Sequence, residues 1–368
     1  MRIGALSLLT ISGLAGCLSD TPGPTLQGSP LPGYALTAEL PVPVTNNAVA
    51  SVEHQDRILV LSFMGLGEGK TWRDTYSKAW LMEIERNRHE TGGQSGNWQA
   101  LPDVPGPAGR LAAAAVTVAG KIYIFGGYTV AEDGSEKSVP LVHMFDPLTW
   151  RYSARQPMPV PVDDTVALVY LDRYVYLVSG WHDTDNVELV QVYDTRKDAW
   201  FSASAFPGPA VFGHAGGITG NEMVVCDGVK VVPLAGNKRT FTASRLCYRG
   251  TIDNADPSSI AWRAIAHYPQ PARYRMAAGS AAGLIYFAGG SDNPYNYDGI
   301  GYDGNPSVPS AAVFAFDPKS NTWLRLNDLP FASMDHRGLV NAGDGFFLVG
   351  GMGESQEVLS RTVFYRRQ

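Results

Sequence analysis

Short apolar runs of strand length recur along the chain, each closed by glycine. They are ILVLSFMG ending at Gly65, KIYIFGG (Lys121 to Gly127), RYVYLVSG (Arg173 to Gly180), MVVCDG ending at Gly228, LIYFAGG (Leu284 to Gly290) and FFLVGG (Phe346 to Gly351). Runs this short, rich in β-branched and aromatic residues and bounded by turn residues, predict buried strands. A small-residue segment such as Leu111 to Val118 or Ala277 to Ala281 precedes each run and predicts a strand joined to it by a tight turn. Beyond a longer loop comes a third strand, VHMFDP, VQVYDT or VFAFDP around Asp146, Asp194 and Asp317.

The fourth strand of each unit carries an aromatic residue followed seven positions later by proline. The six copies are Tyr34 to Pro41, Trp98 to Pro105, Trp150 to Pro157, Trp200 to Pro207, Trp262 to Pro269 and Trp323 to Pro330. Successive aromatics lie 64, 52, 50, 62 and 61 residues apart, the spacing of a repeat architecture with loops of variable length. Four-stranded units too small to bury their own faces predict an all-β, six-bladed propeller. The first aromatic copy precedes every other strand, and the last unit, Gly338 to Arg366, lacks a fourth strand. Tyr34 to Pro41 is therefore expected to complete the sixth blade and close the ring, removing exposed sheet edges. The six aromatics are expected to be structural, packing across strands of their own and adjacent blades.

The glycine pairs after the second strand, with a tryptophan two to three dozen residues later, resemble the Kelch family over essentially all of residues 34–368. Within that family the chain is similar in architecture to the N-acetylneuraminate mutarotases, exported six-bladed propellers. That resemblance implies a glutamate after a glycine at the end of a second strand, then a lysine and an Arg-Thr pair. Lys230 and Arg239-Thr240 match, but the glutamate position falls on Gly228, beside Asp227. Asp227 and Arg239 are thus the catalytic candidates for a sugar mutarotase or epimerase. The copper-radical oxidases that share the Kelch repeat need a Tyr-His pair; the only adjacent pair here is His267-Tyr268, in reverse order, so that chemistry is not expected.

Ahead of the propeller, Arg2 and the apolar stretch Ile3 to Ala15 read as a signal peptide, too short to span a bilayer. Leu14-Ala15-Gly16-Cys17 resembles a lipobox, which implies cleavage after residue 16 and lipidation of Cys17. Leu18 after that cysteine implies the outer membrane, facing the periplasm. Residues 17–33 hold Pro, Gly, Ser and Thr with little to bury and are expected to be a flexible tether. The propeller is assigned to residues 34–368.

The formal charge of −6 becomes −7 without Arg2, and the mature chain has no Lys/Arg block, which disfavours nucleic acid. For the same reason, membrane contact is expected only through the lipid. Forty glycines, 25 prolines and 45% hydrophobic residues suit a large turn-rich β protein. Cys226 and Cys247 remain after Cys17. Placing Cys247 level with Phe145, near the far end of the third strand, separates the two by about 13 Å, beyond the roughly 7 Å a disulfide bridges, so free thiols are expected. The scattered histidines offer no metal-ligand spacing, and no cofactor is expected.

A propeller concentrates function at one mouth of its channel. The positions just before each innermost strand hold Asn46 and Asn47, Arg110, Asp163 and Asp164, His214, Arg273 and Arg275, and Asp335, His336 and Arg337. Arginines in such a ring can grip a carboxylate bidentately, which suits an anionic or polyhydroxylated ligand. The insertion Ser291 to Ser310 brings Tyr295, Tyr297 and Tyr302, interleaved with Asp298, Asp303 and Asn305, to the same rim. Tyrosines among hydrogen-bond acceptors suit the face of a sugar. Trp72, Arg73 and Tyr76, and Trp181, His182 and Asp183, are further rim candidates. The expected role is binding a saccharide or an envelope protein; the alternatives are the mutarotase and a non-catalytic envelope scaffold.

Overall fold

The computed structural model describes residues 34–85, 96–236 and 238–367. The signal peptide, Cys17 and the tether lie outside the described residues. Six four-stranded antiparallel sheets form the blades. Their innermost strands are Ala48–His54, Ala114–Val118, Val166–Tyr170, Ala215–Thr219, Ala277–Ala281 and Val340–Ala342. Tyr34–Leu36 pairs with Thr362–Arg366, Tyr34 opposite Tyr365, so the N-terminal strand completes the sixth blade.

The blades hold one another. Six apolar cores lie one at each junction, as Leu61 and Phe63 of blade one meet Ile122, Ile124 and Phe145 of blade two. Blade six packs on blade one in the same way, through Phe347 and Phe364 against Val44 and Val60. A blade removed from the ring exposes two such faces, which is why no blade is a folding unit alone.

Each second strand ends in a pair of left-handed residues: Met64-Gly65, Gly126-Gly127, Ser179-Gly180, Asp227-Gly228, Gly289-Gly290 and Gly350-Gly351 all have positive φ. At Gly351 a Cβ would lie 2.2 Å from His336 Cε1, so no side chain fits there. Where the first glycine is replaced, the side chain ties down the next blade. Ser179 Oγ donates to Val211 O and accepts from Val211 N, both at 2.9 Å. Asp227 Oδ2 accepts from Arg273 N at 2.8 Å.

The motif aromatics clamp neighbouring blades. Trp200, Trp262 and Trp323 donate their indole N–H to carbonyls of the preceding blade, at Gln156, Ser204 and Ala266. Blade two departs from the pattern. Trp150 sits in the turn before its strand and is 39% exposed. Tyr152 takes the inward position opposite Phe145, packs against it at a tilt with ring centroids 4.7 Å apart and donates to Pro102 O.

The cysteines form a disulfide, contrary to the sequence expectation. Cys226 and Cys247 lie directly opposite in adjacent strands, with Cα atoms 4.1 Å apart. Cys247 opens the third strand, in the position of Val142 opposite Phe125, rather than the position of Phe145. The hairpin Val229–Leu234 with Lys238–Ala243 leaves the second strand and returns the chain in register beside its own end.

Candidate functional site

The six segments leading into the innermost strands meet at the axis. One residue of each is left-handed: Asn46, Ala112, Asp164, Gly213, Arg275 and Asp335. Hydrogen bonds close a ring through them. Ala112 N donates to Asn46 Oδ1, Asp164 N to Ala112 O, Gly213 N to Asp164 O and Arg275 N to Gly213 O. His336 N donates to Arg275 O and Asn46 N to Asp335 O, all six bonds at 2.8–3.2 Å.

A buried ion cluster fills the ring. Arg275 Nε donates to Asp164 Oδ1 at 3.1 Å, its Nη2 also pairs with Asp164, and its Nη1 meets Asp335 Oδ1 at 2.9 Å. Arg337 Nη1 pairs with Asp164, and Thr45 Oγ1 donates to Asp335 Oδ2 at 2.7 Å. Two guanidiniums and two carboxylates balance in charge. Burial alone would raise the Asp164 carboxyl, but Arg275 and Arg337 outweigh it and hold the group below the usual carboxylate range.

This cluster divides what the sequence reads as one ligand-lined mouth. His214, His336 and Arg337 face a channel cavity of about 520 Å³ walled by the innermost strands. Asp163, Asp164 and Arg275 face a separate cavity of about 430 Å³ on the other side of the ring. The expectation that arginines grip the ligand is corrected: Arg275 and Arg337 are already paired inside the protein. Arg110 is 1% exposed and spends its guanidinium on Gly126 O and His143 Nδ1. Arg273 is buried, joins Asp227 through its backbone and does not line the outer cavity. Asn47 is buried and donates to Ser62 Oγ.

The outer cavity is walled by connections between second and third strands of four consecutive blades. The hairpin Tyr128–Val130 with Glu136–Ser138 supplies Tyr128 and Glu136; the next, Trp181–His182 with Asp185–Asn186, supplies Trp181 and, at its turn, Asp183. The blade-four hairpin supplies Arg239 and Phe241, and residues 291–310 supply Asn296, Tyr297 and Tyr302. Phe241 and Tyr302 stack with centroids 4.2 Å apart, and Arg239 lies 5.0 Å over Trp181.

Tyr297 and Tyr302 are at the wall of the outer cavity. Tyr295 is not: it is wholly buried against Tyr274, Phe212, Met334 and Met352. Asp303 is satisfied within its own loop by Asn293 and Asn305, which pull its carboxyl down to about 2. Tyr76 donates to Pro43 O, and His182 Nδ1 meets Pro161 O at 2.7 Å. Asp227 does not reach the cavity: its carboxylate is buried against His267 Nε2 and the Tyr268 hydroxyl. Asp227, Cys247 and His267 converge, but the sulfur is committed to the disulfide.

The sequence reading missed Tyr128, Glu136, Phe212 and Phe241. Tyr128, Glu136 and Phe241 lie on the second-to-third-strand connections. Alternation along the two hairpins, which sends Glu136 and Ser138, or Arg239 and Phe241, to one face, is the signal that could have found them.

Two neighbouring acids of the cavity wall are driven apart. Asp163 is 2% exposed and accepts from Ser138 Oγ at 2.6 Å. Burial, reinforced by the adjacent Asp164 charge, pushes its carboxyl well above the usual range, opposite in direction to its neighbour. The Glu136 carboxyl is also pushed up by partial desolvation at the cavity, although the residue remains exposed to solvent.

Three buried histidines make the propeller acid-sensitive. Burial lowers His143 and His214 to about 4 and His336 to about 3, each aided by a nearby arginine. The unfolded chain binds these protons near pH 6.5 and the folded one only below about 4, so stability is lost as pH falls through that window. Melting temperature followed from pH 7 to pH 4 should drop, with a slope of up to three protons. Replacing His214 and His336 by Gln should flatten it; an unchanged slope would assign the loss elsewhere.

The Kelch motif family matches residues 109–159 and 272–330. The chain is 24% identical over 231 residues to Kelch domain-containing protein 3 of Homo sapiens, covering 58% of this chain and 56% of that protein. It is 26% identical over 263 residues to Kelch-like protein terF of Aspergillus terreus, covering 68% and 51%. The chain spans about half the length of the curated relatives it matches. The solved structure of YjhT superposes with a TM-score of 0.69 at 16% identity, covering 90% of this chain and 97% of that one. With Kelch motifs in its sequence and four strands in each of its six blades, this chain is a Kelch-motif β-propeller.

Proposed function

We propose that this propeller is a saccharide-binding protein, held at the bacterial envelope by a lipid on Cys17, with its site in the outer cavity. The observation that carries the reading is the lining of that cavity. Trp181, Tyr297, Tyr302 and Phe241 offer ring faces, and Asp163, Asp183, Glu136 and Asn296 offer hydrogen-bonding groups. A volume of about 430 Å³ suits a ligand of one or two sugar rings. Apolar sugar faces stack on aromatics while hydroxyls take the polar groups.

A thermal-shift screen against monosaccharides and short glycans tests it. A sugar at about a hundred times its dissociation constant adds roughly 2.7 kcal/mol of stability. Tyr297→Ala should weaken that sugar about tenfold and leave the unliganded melting temperature within a degree or two. No shift with any sugar, together with a stable protein partner on pull-down, would replace this reading with an envelope scaffold.

A second reading, anomer exchange on the bound sugar, is favoured by Asp163 and Asp164 lying side by side at the cavity wall, the first carboxyl pushed up by burial and the second held down by Arg275 and Arg337. Saturation-transfer NMR between the anomers of a bound sugar tests it. Exchange no faster than in buffer would exclude it.

A further inference from the structure

Glu136 is the one carboxylate of the outer cavity with neither a hydrogen bond nor an ion pair among the described residues. It stands on a short rim hairpin and acts electrostatically on three tyrosines of the cavity, Tyr128, Tyr297 and Tyr302. The nearby cation, Arg275, is committed to Asp164 and Asp335. Arg239, the cavity's other cation, donates to Thr184 O and covers Trp181 and Phe241.

Outside the ion cluster, the carboxyl groups of Glu136, Asp183 and Asp163 face Arg239 alone, leaving the cavity acidic. Asp163, almost wholly buried, has one oxygen bonded to Ser138, and the other takes no hydrogen bond among the described residues. Glu136 is exposed to solvent at the cavity and unpartnered, so a cation can reach it without displacing a protein group. Tyrosine faces beside it attract a cation rather than an anion.

Building on the saccharide-binding reading, we infer that the ligand carries a positively charged nitrogen: a protonated amino sugar whose ammonium sits between Glu136 and the faces of Tyr297 and Tyr302. Its hydroxyls fall to Asp163, Asn296 and Asp183. A sugar acid would instead set its carboxylate against Glu136.

Calorimetric titration of the purified chain at pH 6.5 with glucosamine, glucose, N-acetylglucosamine, glucuronate and choline tests this. Glucosamine should bind at least about tenfold more tightly than glucose or N-acetylglucosamine, and glucuronate most weakly. Glu136→Gln, a rim substitution whose melting temperature serves as the folding control, should abolish the glucosamine advantage, so that glucosamine and glucose bind this variant equally. Equal binding of glucose and glucosamine, or a glucosamine advantage that survives Glu136→Gln, overturns the inference and leaves the saccharide reading standing. Choline binding that depends on Glu136, with no sugar bound, upholds the cation site and removes the saccharide. Binding of none of the five overturns the inference.

Discussion

Asp164→Asn should destabilise the folded chain by about 3–5 kcal/mol. In the native ring Asp164 receives both Arg275 and Arg337, while Asp335 receives Arg275 and the Thr45 hydroxyl. Removing one carboxylate charge leaves two buried guanidiniums sharing a single acid. Water cannot compensate readily, because the side chains of Arg275 and Arg337 are only 3% and 5% exposed. The loss falls on three blades at once, since Asp164 leads into blade three, Arg275 into blade five and Asp335 and Arg337 into blade six. Equilibrium unfolding in urea measures it. The rim pair Arg73–Glu132, at 3.8 Å with side chains 72% and 76% exposed, is the comparison. Arg73→Ala should cost less than about 1 kcal/mol. A similarly small cost for Asp164→Asn would show that the ring relaxes to neutralise the spare arginine.

The second large effect concerns the disulfide. Cys226 and Cys247 are 21 residues apart in sequence, and cross-linking a loop of that length removes unfolded-state entropy worth about 3 kcal/mol. The bridge spans the base of the blade-four hairpin that presents Arg239 and Phe241 to the outer cavity. The double variant Cys226→Ser and Cys247→Ser should therefore lower stability by about that amount. It buries two hydroxyls in the core between blades four and five, where both sulfurs now sit. Cys226→Ala with Cys247→Val is the paired control, since it removes the bridge without burying a hydroxyl. Equal losses in the two variants assign the effect to the cross-link; loss in the serine variant alone assigns it to the buried hydroxyls.

How far the chain could be read without its structure depended on the range of the interaction. Strand identity, blade count and ring closure were legible because they rest on local patterns repeated six times. The aromatic-to-proline spacing, the glycine after each second strand and the unpaired first strand each report a constraint recurring once per blade. Trp150 is instructive, since spacing alone put it in register while its backbone placed it in the turn and gave the inward position to Tyr152.

Part of the cavity lining was legible in the sequence, but the pairings at the axis were not. Residues before the innermost strands do converge on the axis, and Tyr297 and Tyr302 do reach a cavity. Whether Arg275 meets a ligand or Asp164 depends on residues 111 positions apart, and no local pattern encodes that pairing. The same holds for Cys226 and Cys247, whose contact was set by the register of a returning hairpin rather than by spacing from a tryptophan. Repetition in the chain alone determined the propeller and the way its ends meet. Only the tertiary structure decided which charges neutralise one another at the axis and which, like Glu136, stay open, because each charge meets partners from blades distant in sequence.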